Sequence, residues 1–283
     1  MSQTIVHDIS ETARWAAVFR ARETERPDAL FRDPFAAKLA GTRGFAIADA
    51  LSQESHSVSW VVRTYLFDRF IAQEIKAGTD FVVNLAAGLD TRPYRMPLPS
   101  SCKWIEVDLP EILTYKEAIL ANEKPVCDLQ RIPMDLLNCD ARRKLFADFG
   151  RQAKRILVIT EGLLVYLSSA EVATLARDLS TRAHFQRWVL EIVSRGVLET
   201  MERTAGTQLN PAGAYFKFAP VEGPQFFTPY GWEPIEVRGV LRTAISLNRT
   251  PIDPQVHELI PDLPMDTDGS APWVGVCLFK KAG

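Results

Sequence analysis

Cysteine is sparse in this chain: Cys102, Cys127, Cys139 and Cys277, with no CxxC among them. The histidines His7, His56, His184 and His257 are equally scattered. These gaps argue against a disulfide framework and against a zinc site. No metal is expected, and the thiols read as free in a reducing cytoplasm. No stretch reaches the roughly 18 uninterrupted apolar residues of a membrane span. The opening MSQTIVHDISETARW lacks the basic and apolar blocks of a secretory signal. There is no basic cluster with interleaved aromatics, and the 283 residues carry a net charge of −2. Neither nucleic acid nor an anionic membrane is therefore an expected partner. A Walker lysine loop, a GxSxG elbow and an HExxH pair are absent too, so P-loop, hydrolase-elbow and zinc-protease chemistries drop out.

What is present is a strand–turn–strand unit. Phe81–Leu85 is an apolar run that fits a buried strand, and it breaks at the small residues Ala86-Ala87-Gly88. A second apolar run, Lys103–Val107, ends at Asp108. A small-residue turn lets backbone approach a bound group, and a carboxylate about 20 residues on accepts from ribose hydroxyls. This layout suits a nucleoside cofactor. The three-glycine dinucleotide fingerprint is reduced to Gly88, and Asp90 follows it. A carboxylate there repels a pyrophosphate and welcomes an ammonium.

Residues 10 to about 77 read as helical. Ser10 is placed to cap the first helix, a short helix opens at Asp33-Pro34, and another runs over Trp60–Ile75 until Lys76-Ala77-Gly78. From Phe81 on, further strands are expected at Gln130–Pro133, Arg155–Thr160 and Trp188–Val193. Helices at Pro110–Asn122, Asp140–Phe149 and Ser169–Arg182 fall between the strands, the last capped by Ser168 or Ser169. Alternation of this kind predicts right-handed βαβ crossovers and a parallel sheet with helices on both faces. Gly231–Val237 and Trp273–Lys280 read as two more strands, the last as an antiparallel edge. The stretch 196–230 contains Gly, Pro and many aromatics, and reads as a long connection over the substrate. The chain is expected to form one catalytic domain, 1–283. Its parts are a helical cap (1–78), a cofactor-binding sheet core (79–195 and 226–283) and a substrate-cover insertion (196–225).

Four carboxylates fall at strand ends: Asp90, Asp108, Asp135 and Glu161. Each alone reads equally well as a turn former or helix cap, but a row of them suits a ligand rich in donors. Asp135 could accept from the adenine amine while the next backbone N–H, at Leu136, donates to the ring. Arg63 could hold a carboxylate bidentately or lie solvated on its helix. Arg92 and Arg95 could bind an anion or pair with Asp90 and Glu106. A nucleoside bearing an amino-acid group, S-adenosylmethionine, fits this set better than NAD.

The runs VVNLAAGLDTRPYR, WIEVDLPEILTYK, MDLL (134–137) and ITEGLLVYL resemble the leucine carboxyl methyltransferase family, in its bacterial O-methyltransferase branch. Upstream, TARWAAVFRARE, LFRDPFAAKLA and VVRTYLFDRF are similar to the same branch, so the likeness runs from about residue 12 to 167. The resemblance implies an α/β, Rossmann-like class I methyltransferase with a seven-stranded, mostly parallel sheet and its last strand antiparallel. It implies that Arg63 holds the methionine carboxylate, that Ala86, Gly88 and Asp90 lie along the methionine moiety, and that Asp108 with Leu109 binds the ribose. Asp135 and Leu136 would read adenine, and Glu161 would sit near the amino group with Tyr166 nearby. Tyr166 is the one candidate with a catalytic role. An amino-terminal lysine of eukaryotic members has no clear match; Arg14 and Arg20 are the available substitutes. A carboxylate acceptor is ionised at neutral pH and needs no general base, and no His or Lys base falls on the mapped crevice. The expected activity is thus carboxyl O-methylation of a small molecule, leaving S-adenosylhomocysteine. The alternatives are an NAD-dependent oxidoreductase and a catalytically silent cofactor-binding protein.

Overall fold

The computed structural model of the protein describes residues 11–51, 54–151, 153, 155–263 and 268–283. Ser10 and His7 lie outside these residues. The chain order is α1 (Glu11–Thr24), α2 (Ala36–Leu51), α3 (Glu54–Lys76), β1 (Phe81–Leu85), α4 (Arg92–Arg95), β2 (Lys103–Asp108) and α5 (Pro110–Ile119). It continues with β3 (Asp128–Pro133), α6 (Cys139–Gly150), β4 (Ile156–Thr160), α7 (Ser169–Ser180), β5 (Phe185–Val193), α8 (Arg195–Met201), β6 (Trp232–Gly239) and β7 (Val274–Lys281).

Local chemistry sets the helix ends. Ser168 caps α7 in a reciprocal box with Glu171. Pro110 opens α5, where its missing N–H costs nothing. Gly78, at φ 96, ends α3: its N–H donates to Ile75 O and the Thr79 N–H donates to Glu74 O. The helix expected at Asp33-Pro34 begins at Ala36 instead. Asp33 stays outside it and is buried, accepting from Arg20 Nε at 2.8 Å and Thr91 Oγ1 at 2.7 Å.

The sheet order is β3-β2-β1-β4-β5-β7-β6. Strands β1 to β5 run parallel, and β7 is antiparallel to both β5 and β6. This is the Rossmann-like methyltransferase arrangement. The residue pattern alone put the last strand at an edge; it lies inside the sheet. Its Val276–Phe279 segment is buried on both faces, whereas β6 carries Glu233, Pro234, Glu236 and Arg238 and suits the edge. The other edge, β3, is half exposed, which explains its weak apolar signal.

Alternation along the strands divides the core. Phe81, Val83 and Leu85 pack with Phe146 of α6 and Val172 and Leu175 of α7. Val82, Trp104 and Leu157 pack on the opposite face with Leu66, Phe67 and Phe70 of α3. A third cluster joins Trp15, Val18 and Phe19 of α1 to Ile47 of α2, Val61 of α3 and Phe216, beyond the strand ends. The stretch 196–230 is more regular than its composition suggests. It holds most of α8, a π-helical turn at Glu202–Gly206, and 3-10 turns at Asn210–Ala212 and Gly223–Tyr230. Its apolar residues recur as anchors rather than at helical spacing. Among the described residues, no helix is long and apolar enough to cross a membrane.

Candidate active site

The turn after β1 is built around two left-handed residues, Ala86 at φ 54 and Gly88 at φ 49. A side chain in that region is disfavoured, so Ala86 marks a conformation imposed by its surroundings. Asp108, at the end of β2, takes the Gly88 N–H at 2.6 Å on Oδ2 and the Leu109 N–H at 2.7 Å on Oδ1. Burial pushes the Asp108 carboxyl up, and the two N–H groups oppose it. Helix α1 closes over the turn. A Cβ on Gly88 would stand 3.3 Å from that of Ala13, and Arg20 Nη2 donates to Leu89 O at 2.6 Å.

Next to the turn lies a chain of ion pairs. Asp90 accepts from Asn84 Nδ2 at 2.8 Å, from the Arg92 N–H at 2.9 Å and from Arg92 Nη1 at 3.1 Å. Burial is the largest influence and would raise its pKa; Arg92, Lys116 and Arg95 together with the Arg92 N–H outweigh it and hold the carboxyl at about 2. Arg92 also reaches Asp68 of α3 at 2.6 Å and Glu161 at 2.8 Å, and Arg95 binds the same Asp68. Glu161 in turn accepts from Arg63 Nε at 3.1 Å. Arg63 Nη1 donates to both oxygens of Glu191, at 3.2 and 3.1 Å, while Glu191 Oε1 takes the Gly162 N–H at 2.7 Å. Burial alone would lower the Arg63 pKa; Glu191 and Glu161 reverse this. Burial, with Glu161 alongside, pushes Glu191 up against the pull of Arg63. Among the described residues Arg63 Nη2 has no hydrogen-bond partner, and the guanidinium lies over the Trp60 ring at 4.4 Å.

These groups share one cavity of about 560 Å³, a volume typical of small-molecule sites. Arg63, Ala86, Gly88, Asp90, Asp108, Leu109, Asp135, Leu136, Glu161 and Tyr166 all line it. Asp135 also accepts from the Leu137 N–H at 2.9 Å, the turn-forming role its position allows. Tyr166 stacks on Phe216 at 5.5 Å, and burial pushes its phenol up to about 12. The phenol therefore stays protonated near neutrality.

Sequence reasoning missed Glu191, Asn84 and the depth of Arg92. The row of carboxylates stopped at Glu161; extending it to the next strand reaches Glu191, hidden in the run LEIV. The expected pairing of Arg92 or Arg95 with Glu106 does not occur. Glu106 instead holds Lys116 and Arg131 at 2.7 and 2.8 Å. Of the two amino-terminal arginines, Arg20 lines the cavity but is tied to Asp33, and Arg14 lies over the Tyr115 ring. The four cysteines are free, and burial pushes Cys102 to about 11 and Cys127 to about 12, so both remain thiols. Among the described residues no group of three or more His, Cys, Asp and Glu could hold a metal ion.

A model of the leucine carboxyl methyltransferase family matches residues 13–180. The chain belongs to this family. A relative from Parafrankia sp. (strain EAN1pec), named a "putative S-adenosyl-L-methionine-dependent methyltransferase", is 34% identical over 81% of this chain and 78% of its own. A relative of the same name from Mycobacterium avium (strain 104) is 30% identical, over 82% of each chain. Among solved structures, a "putative methyltransferase" from Thermobifida fusca YX superposes with a TM-score of 0.64 at 16% identity, covering 99% of this chain and 97% of its own. A DUF574 family protein from Streptomyces avermitilis MA-4680 gives 0.59 at 15% identity, over 95% and 97%. Both support the fold.

Proposed function

We propose that the chain methylates the carboxylate of a small molecule by direct in-line transfer, with S-adenosylmethionine as cofactor and S-adenosylhomocysteine as product. Family membership makes it an S-adenosylmethionine-dependent methyltransferase; the acceptor and the residue roles are inferred from the cavity. The observation that carries the reading is the charge pattern at one end of that cavity. Among the described residues Arg63 Nη2 has no partner, and the group shares the cavity with the carboxylates of Asp90, Glu161 and Glu191. The Nη2 amine, the one donor group of Arg63 left over, suits an oxygen of the methionine carboxylate. The surrounding negative charge suits an ammonium and a sulfonium.

The remaining groups fit the same molecule. Asp108 is placed for the ribose, with Leu109 as its apolar neighbour. Asp135, the Leu136 N–H and the Leu136 side chain suit adenine, and Ala86 and Gly88 leave room for the amino-acid arm. NAD fits poorly: the Gly88 N–H that a pyrophosphate would take is already held by Asp108. When bound, the cofactor supplies a methyl on a neutral leaving group, so a carboxylate oxygen forms the new C–O bond as the C–S bond breaks and sulfur keeps the electron pair. The protein's task is then alignment and exclusion of water. Tyr166, held protonated, donates a hydrogen bond rather than acting as base. Among the described residues no histidine lines the cavity, which favours an acceptor that needs no base. The segment 196–225 acts as the substrate cover of a single catalytic domain, and its Val197, Met201 and Phe216 line the cavity. The free thiols suit a cytoplasmic setting.

Calorimetry against S-adenosylmethionine, S-adenosylhomocysteine and NADH tests the cofactor. The first two are expected to bind and NADH is not; the reverse refutes the reading. Mass spectrometry of candidate acids incubated with S-adenosylmethionine tests the acceptor: labelling of phenols alone refutes the carboxyl assignment, and tight cofactor binding with no transfer favours the silent alternative.

A further inference from the structure

The charged lining is confined to part of the cavity. Asp90, Asp108, Asp135, Glu161, Glu191, Arg63 and Arg92 belong to strand ends or to the ion chain beside them. Apart from Arg20 and the exposed Lys217, the rest of the lining is uncharged. It includes Trp15 of α1, Trp60 of α3, Val193 at the end of β5, Val197 and Met201 of α8, and Phe216. Trp15 and Trp60 pack ring to ring at 5.2 Å, and Phe216 lies against Tyr166. Arginines near this chamber are already engaged: Arg20 with Asp33, Arg92 with Asp68, Asp90 and Glu161, and Arg63 with Glu161 and Glu191, its remaining Nη2 being assigned above to the methionine carboxylate. Lys217 lines the cavity as an exposed residue. Among the described residues, an acid entering the chamber therefore finds no buried lysine or arginine of its own to grip it.

We propose that this chamber is the acceptor subsite and that it takes a small apolar monocarboxylic acid. The inference rests on the methyltransferase reading above. A carboxylate brought here is drawn by the positive charge of the bound sulfonium. Its orientation is set by packing of the apolar body against the two aromatic pairs. A second charge on the acceptor would lie against the half-buried Val197 and Met201 with no buried ionic partner among the described residues, which is unfavourable. Selection among acids thus comes from the body of the molecule, not from a salt bridge to its head.

The test uses the full chain saturated with a non-transferable S-adenosylmethionine analogue, one that carries an ammonium in place of the sulfonium, and titrated by calorimetry with 3-phenylpropanoate, octanoate and succinate. The two apolar acids are expected to bind at least tenfold more tightly than succinate. Met201→Glu is expected to weaken them at least tenfold while the affinity for S-adenosylhomocysteine stays within twofold. Met201→Lys, which supplies the missing cation, is expected to improve succinate binding, and it keeps the test open should the glutamate variant fail to fold. Succinate binding as tightly as the apolar acids, no binding of either apolar acid, or apolar-acid affinities untouched by a charge at position 201 each overturn the proposal. They leave the methyltransferase reading standing so long as S-adenosylhomocysteine still binds. Absence of S-adenosylhomocysteine binding overturns that reading, and this one with it.

Discussion

Asp90→Asn probes whether the ion chain beside the turn holds the fold together. The native carboxylate sits at about 2 against an ordinary value of 3.8. At 1.36 kcal/mol per unit, that depression is about 2 kcal/mol of stability drawn from the ionised form. Because the folded pKa lies below the unfolded one, this stability is complete above the unfolded value and is lost as pH falls through the folded value. Asparagine removes the charge and creates a second problem. Both oxygens of Asp90 now accept, from Asn84 and twice from Arg92. An amide turns one acceptor into a donor that must face another donor, which adds about 1–3 kcal/mol. The sum is about 3–5 kcal/mol. At about 2 °C per kcal/mol, the low end for larger domains, the melting temperature should drop by at least about 6 °C. Thermal melts without cofactor at pH 5, 6, 7 and 8 are expected to show the same gap between the two proteins, narrowing only in the acid region between about pH 4 and pH 2. A drop under about 1 °C at pH 7, or a gap that closes between pH 8 and pH 6, would refute the reasoning.

Three further outcomes are expected. Asp108→Ala should weaken cofactor binding at least tenfold by calorimetry, since a charge-assisted hydrogen bond is worth about 1.5–3 kcal/mol; unchanged affinity removes Asp108 from the site. Tyr166→Phe should keep the shape of the pH–rate profile between about pH 6 and 9, because the native phenol titrates at about 12, and should reduce the rate by less than the roughly 100-fold or more expected of a catalytic base. Loss of a basic limb in the variant would restore Tyr166 as a base. Ser168→Ala should cost about 1 kcal/mol in chemical denaturation by removing the cap of α7, with cofactor affinity unchanged; wild-type stability in that assay contradicts the role given to the box.

The lining of the candidate site was more legible than the chain as a whole. The turn Ala86–Gly88 and the strand-end residues Asp90, Asp108, Asp135 and Glu161 follow from a rule of α/β sheets, that ligands sit beyond the carboxyl ends of parallel strands. Strand position in sequence is then enough to gather them at one cavity. Arg63 ranked as a surface residue by position alone, because a helix does not reveal which of its polar residues faces a cleft. Glu191 was passed over for the same reason in strand form. Inside LEIV it reads as an odd polar group in a buried strand, and only the approach of α3 to β5 makes it the partner of Arg63.

Local pattern by itself determined the alternation of strands and helices from Phe81 to Val193, a serine cap at 168 or 169 and the carboxylate row, since each depends on neighbours within a few residues or on the period of a strand. Only tertiary structure decided that β7 enters between β5 and β6 rather than at an edge, that the helices of residues 11–76 close over the strand ends, and that 196–230 folds into α8 and its turns. Those outcomes hang on which apolar faces meet across long separations in sequence. A single chain read in order carries the faces but not their partners.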